Sequence, residues 1–294
     1  MALINCPQCS KLISSAADSC VHCGYLAPSS QPLGYEIAPN HQDYQAVATA
    51  ASPFLAIYLI DVSGSMTTQL AGSGGKSKIN LVQEAFNNIL NEMMARSLKG
   101  EIVSPRYGIN VLAYSDTVQD VYGGTISITE AMNRPIPEFR TGNWTNTLAA
   151  FQRAKEILQQ RLPQLANAPA PMVCHLTDGA FTDGCDPSRV IQEIQQMRNK
   201  DGHVLVENIY VGDRLTNTPI HDVHQWPGVQ SPSELSYDYL NSLYHMSSAL
   251  PASYAQTLQH YGFNMQPGVK MLIPAVNADL VELAFTMSGG TVTM

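Results

Sequence analysis

Three side chains with chemistry in them stand at the end of one apolar run. Residues 54–66 read FLAIYLIDVSGSM, seven apolar residues followed by Asp61, Ser63 and Ser65. The run has the length of a buried strand, and burial alone gives no reason for a carboxylate at its end. The event repeats downstream, where PMVCHLT at 171–177 leads into Asp178 and then Gly179, which frees the turn. A third polar knot, TGNWTNT at 141–147, opens a helix-like stretch. Carboxylates and hydroxyls delivered to one edge of a sheet make a hard-oxygen site. That chemistry suits Mg²⁺ or Mn²⁺, with water in the remaining octahedral positions.

A second, softer site is written in the cysteines. CPQC at 6–9 and CVHC at 20–23 are two C-x-x-C knuckles ten residues apart. They converge the thiolates of Cys6, Cys9, Cys20 and Cys23 on one tetrahedral Zn²⁺, which a segment this short needs in order to fold. Disulfides would call for an exporting signal, which MALINCPQCS does not show, and a redox C-x-x-C would call for a helix start inside a βαβ unit. His22 lies within the second knuckle, where four cysteines already fill the shell. CPQCSKLISSAADSCVHCGY resembles the short zinc ribbons found at the ends of many bacterial regulatory proteins. Such a site is structural rather than catalytic. Cys174 and Cys185 read as reduced thiols.

The elements that must position the hard site follow from periodicity. Apolar, β-rich runs occur at 54–60, 107–114, 171–176, 204–211 and 269–274, with a short antiparallel edge strand expected near 118–128. Helix-like stretches lie between them at 78–97, 146–162 and 187–199, the first with Leu81, Ala85, Phe86, Ile89, Leu90 and Met93 at helical spacing and the last opened by Pro187 in its first turn. Residues 235–262 read as two helices broken at Pro251, the second running into Gly262. NADLVELAFTM at 277–287 reads as a last helix with one packing face. Strands alternating with helices predict an α/β fold: an open, mostly parallel sheet covered on both faces. In such sheets ligands bind beyond the carboxyl ends of strands, at the point where strand order reverses. The expected organisation is a zinc ribbon over 1–25, a Pro- and Ser-rich linker over 26–50, whose later part can lie against the main domain, and that domain over 51–294 with a C-terminal helical extension.

D-x-S-x-S at Asp61, Ser63 and Ser65, the threonine of TNT and the strand-end TDG together resemble the metal-ion-dependent adhesion site (MIDAS) of von Willebrand factor A (vWA) domains. The resemblance covers roughly residues 51–288. It implies a Rossmann-like vWA fold, hydroxyl ligands from Ser63, Ser65 and Thr145, and carboxylates from Asp61 and Asp178, directly or through water. One departure is Trp144, where family members often carry glycine; its ring narrows the ligand, acts as a contact of its own, or packs inward on the next helix. A zinc ribbon followed by a vWA domain is also similar to bacterial tellurium-resistance-type and conflict-system vWA proteins. That similarity implies partners such as a kinase, a phosphatase or an AAA+ ATPase in a stress-response or anti-phage system.

Other motifs carry less. GSGGKS at 72–77 lacks the first glycine of a phosphate loop, since Leu70 stands there, and reads as a loop at the rim of the site. HDVH at 221–224 has no carboxylate pattern around it and reads as surface. His175 alternates with apolar residues and reads as a core or crevice histidine, while Asp183 and Asp186 suit the rim of the site and turn formation and capping equally well. A net charge of −8 argues against a nucleic-acid partner, and no apolar run has the roughly 20 residues of a membrane span. The cytoplasm is the expected address. With no general base in a convincing position, the sequence points to a non-catalytic adaptor that captures a partner's Asp or Glu on the metal. The alternative is a metal-dependent hydrolase of phosphate or peptide bonds.

Overall fold

The computed structural model describes residues 3–5, 11–14, 44–70, 74–135, 138–179, 186–275, 283 and 287. The chain divides into two compact units, Met1–Asn40 and His41–Met294. In the first, strand β1 (Leu3–Asn5) pairs antiparallel with β2 (Leu12–Ser14), with Ile4 opposite Ile13. All four knuckle cysteines, most of the expected linker, Asp183 and Cys185 lie outside the described residues.

The second unit begins with a segment pinned to the domain: the Asp201 carboxylate accepts the amides of Gln45, Ala46 and Ala170 at 2.7–2.9 Å. Its elements are β3 (Phe54–Asp61), α1 (Lys78–Ser97), a small hairpin of β4 (Leu98–Lys99) and β5 (Ile102–Val103), then β6 (Tyr107–Tyr114), β7 (Val118–Asp120), β8 (Ile126–Ser127) and α2 (Ile128–Ala131). They continue with α3 (Thr147–Arg161), β9 (Met172–Thr177), α4 (Ser188–Gln196), β10 (Leu205–Tyr210), α5 (Leu240–Met246), α6 (Ala252–His260) and β11 (Leu272–Pro274). The main sheet runs β11-β10-β9-β3-β6-β7, with β8 also on β6. All pairings are parallel except those of β7 and β8 with β6. This is the mostly parallel sheet with helices on both faces that the alternation predicts, in the Rossmann-like form that the resemblance implies.

Register assigns the faces. Tyr58, Cys174 and Glu207 align across β3, β9 and β10, as do Leu59, His175 and Asn208 one residue on. Neighbours in sequence point to opposite faces. α1 covers the first face, with Phe86 edge-on to Tyr58 at 5.5 Å. α3 covers the second, with Phe151 edge-on to His175 at 5.0 Å, and α5 joins it through Asn208. Every residue of β3 and β9 is buried, because strands covered on both sides leave no solvent-facing set.

Several details differ from the sequence reading. In α1 the buried stripe includes Ile79 and Val82, while Leu81 is only half-buried, a rotation of the face by less than one residue. Pro187 is the N-cap of α4 rather than a first-turn residue, and the helix stops at Gln196 where the Met197 amide bonds Ile194 in a tightened final turn. β11 starts only at Leu272, because Lys270 is taken by bridges to Val229 and Ala249. In the expected C-terminal helix Leu283 and Met287, four residues apart, are helical and buried; its other residues lie outside the described set.

Candidate metal centre

Strand order reverses beside β3. The chain runs outward from β3 to β6 and β7, then returns to β9 on the other side of β3 and continues to β10 and β11. The crevice at the carboxyl ends of β3 and β9 is therefore the switch point of the sheet. Asp61 is the last residue of β3, and Asp178 follows directly on β9.

Asp61 is fully buried and bonded on both oxygens. Its Oδ1 accepts the Ser63 amide at 2.9 Å, and its Oδ2 accepts the Thr177 hydroxyl at 2.8 Å. Burial raises its pKa; the Ser63 and Thr177 hydrogen bonds oppose the shift, and the nearby Asp178 charge adds to it. The Ser63 amide bond bends the chain into a 3₁₀ turn over Gly64–Thr67, with Ser63 as its N-cap. That turn brings Ser63 Oγ and Ser65 Oγ within 3.1 Å of each other. Thr67 and Thr68 hydroxyls donate back to Gly64 O and Ser65 O, each at 2.7 Å, and hold it in shape.

Thr145 is brought in by a loop clamped from below. Gly142 N donates to Val62 O at 2.7 Å and Asn146 N to Ser115 O at 2.9 Å. Between them the Asp116 carboxylate accepts the amides of Asn143 at 3.4 Å and Trp144 at 3.1 Å. Position 142 must be glycine, since a Cβ there would stand 2.2 Å from Ser115 Oγ and 2.7 Å from Ser115 Cβ. Thr145 is buried by this loop, whereas Trp144 is 62% exposed and does not pack inward. The ring sits outward beside the site.

Asp178 is buried to 4% side-chain exposure; its Oδ2 accepts Lys78 Nζ at 3.0 Å, and its Oδ1 is buried with no hydrogen-bond partner. Gly179 turns the chain away at φ +88°, where a Cβ would meet the Tyr239 ring at 2.9 Å. Tyr239 bonds Tyr210 Oη at 2.8 Å and stacks on Tyr237, so an aromatic wall flanks the Asp178 side.

A buried polar chain runs beneath the carboxylates. The Asn208 amide group donates to Ser247 Oγ at 2.9 Å, which turns its Oδ1 toward His175 Nδ1 at 2.8 Å. An amide oxygen only accepts, so His175 carries its proton on Nδ1, and its Nε2 accepts the Tyr114 hydroxyl at 2.6 Å. Burial lowers the His175 pKa to about 4, against the Asn208 hydrogen bond, so the ring is neutral at neutral pH. His175 is thus a core histidine tied on both nitrogens.

The structure places Asp61, Ser63 and Ser65 at one strand end and the turn after it, Thr145 on the loop bonded to Val62, and Asp178 at the neighbouring strand end. The residue set fits a hard divalent cation, because Asp178 Oδ1 is an unpartnered buried carboxylate oxygen among hydroxyls. Sequence reasoning missed Thr177, Asp116, Tyr114 and Lys78. Asp116 had a signal, a carboxylate two residues past a strand end; the partners of the other three lie too far along the chain to be read locally.

Residues 56–180 match the von Willebrand factor type A domain. The vWA match contains Asp61, Ser63, Ser65, Thr145 and Asp178 in full. No curated protein matches the chain. Similar solved structures include a von Willebrand factor type A protein from Catenulispora acidiphila, 16% identical, TM-score 0.36, covering 58% of this chain and 39% of that one. Another is proximal thread matrix protein 1 from the mussel byssus with a zinc-occupied MIDAS motif, 17% identical, TM-score 0.38, covering 57% and 38%. The SpRpn10 VWA domain is 15% identical, TM-score 0.44, covering 82% and 100%. The chain thus spans about two fifths of the length of the first two. HDVH at 221–224 forms no metal site: His224 stacks on Phe263 at 4.8 Å, and no cluster of three metal-ligating side chains occurs among the described residues.

Proposed function

We propose that this chain is a non-catalytic, metal-dependent protein-binding module whose vWA domain captures a partner carboxylate. The observation that carries the reading is the buried, unpartnered Oδ1 of Asp178, set beside Asp61 and the Ser63–Ser65 hydroxyl pair at the sheet's switch point. Asp178 and the hydroxyls of Ser63, Ser65 and Thr145 would hold Mg²⁺ or Mn²⁺, with Asp61 acting directly or through water. The chemistry supplied by a bound divalent ion is one coordination position that an Asp or Glu of the partner completes. The chain's own residues do the rest: the Asp116 clamp fixes Thr145, Thr177 fixes Asp61, and Trp144 and Tyr239 shape the approach.

The hydrolase alternative needs a group that takes a proton from water near the metal. His175 cannot serve, since both ring nitrogens are engaged and the ring is sealed in the core. The Ser63 and Ser65 hydroxyls bond each other, Asp61 also accepts from Ser63, and among the described residues no histidine or lysine is bonded to either, which favours ligands over nucleophiles.

In the same reading residues 1–25 are a structural zinc ribbon on Cys6, Cys9, Cys20 and Cys23, 26–50 link it to the vWA domain, and the protein works in the bacterial cytoplasm. Among the described residues no helix is long and apolar enough to cross a membrane. The partner belongs to a stress-response or anti-phage system, with a kinase, a phosphatase or an AAA+ ATPase as candidates. Capture from a host lysate with Mg²⁺, with EDTA, and with Asp61→Ala tests the function. A partner retained in Mg²⁺ and lost in the other two supports it; equal capture in all three refutes it.

A further inference from the structure

Lys78 is the first residue of α1, and its ammonium crosses to a carboxylate 100 positions along the chain. Its backbone amide donates to Thr68 O at 3.0 Å, which fixes the start of the helix against the turn that carries Ser63 and Ser65. From there the side chain runs inward, 18% exposed, to Asp178 Oδ2. The other lysine–carboxylate pairs among the described residues, Lys76–Glu84 and Lys155–Glu193, are all more exposed. Holding a lysine chain in one inward conformation costs rotamer freedom, and this one is spent on the carboxylate that the metal reading requires. Asp61 brings a second buried carboxylate to the crevice. The ammonium cancels one unit of the negative charge that these carboxylates present, which weakens attraction for a dication.

We propose that Lys78 is a tethered cation on Asp178 Oδ2 that competes with a divalent ion for this carboxylate, so that the site loads weakly and reversibly. The inference rests on the metal-binding reading above. It makes Lys78 an affinity-determining residue rather than a ligand.

The test is Mn²⁺ and Mg²⁺ titration of the full-length chain, by paramagnetic resonance of free Mn²⁺ and by calorimetry. Wild type, Lys78→Met and Asp178→Asn are compared, the last reporting binding elsewhere on the molecule. Lys78→Met should bind about tenfold more tightly, equivalent to about 1.4 kcal/mol, while its metal-free form melts at a lower temperature than wild type because Asp178 has lost its partner. Equal or weaker affinity in Lys78→Met overturns the inference and leaves the metal reading standing. Binding by neither protein above the Asp178→Asn background overturns both. Should Lys78→Met fail to fold, amine-reactive labelling of wild type replaces it. Labelling of Lys78 should rise with Mn²⁺ occupancy, and unchanged labelling at full occupancy overturns the inference.

Discussion

His175 should make this domain sensitive to acid in a narrow, calculable window. The imidazole is buried between Tyr114 and Asn208 and titrates at about 4, against 6.5 in an unfolded chain. Below pH 6.5 the unfolded state takes up a proton that the folded state refuses. The stabilising contribution is therefore complete above 6.5 and is lost as pH falls toward 4. Single-group linkage gives a loss of about 2 kcal/mol between pH 7 and pH 5, and about 3 kcal/mol by pH 4. Asp61 and Glu207 act with the opposite sign. Burial raises both pKa values, so their contributions are present below the ordinary carboxylate range and fade as pH rises. The total pH profile is consequently a mixture, and the informative quantity is the difference between wild type and His175→Gln. Guanidinium unfolding of both proteins at pH 7 and pH 5, in metal-free buffer, measures it. The variant should start less stable, having lost a ring tied on both sides, yet lose about 2 kcal/mol less than wild type on acidification. Parallel pH dependences in the two proteins would refute the neutral, buried state of His175.

Glu207 is fully buried on β10, and its carboxyl has the Cys174 thiol as its hydrogen-bonding neighbour. Glu207→Gln should remove the decline in stability as pH rises from 5 to 8 and raise stability at pH 8 by about 1–3 kcal/mol, read by thermal unfolding. Gly142→Ala forces a Cβ into Ser115 and displaces the loop that carries Thr145. A loss of about 1–3 kcal/mol in stability and of any Mg²⁺-induced rise in melting temperature should follow. Elemental analysis should find about one zinc per chain, and Cys9→Ser should abolish it without changing the unfolding of the vWA domain. Zinc at full occupancy in that variant would refute the ribbon.

What could be read from the sequence alone was whatever repeats at short range. Apolar runs of strand length, helical spacing between them and polar residues at the strand ends follow from period and from burial on two faces. Those rules predict the α/β sheet and place Asp61 and Asp178 at carboxyl ends without any knowledge of strand order. The glycine after Asp178 was legible for the same local reason, because a left-handed turn is a property of one residue. Tertiary structure decided which distant groups meet. The order that puts β9 beside β3 makes Thr177 the hydroxyl that holds Asp61; register sets His175 beside Asn208, and Tyr114, opposite Asp61 on β6, reaches across β3 to the His175 ring. The path of α1 over the sheet gives Asp178 to Lys78, a pairing that no spacing rule contains. A carboxylate's position in the chain is set by its neighbours in sequence. Its charge partner is set by packing, and packing is a sum over contacts between residues that the sequence keeps far apart.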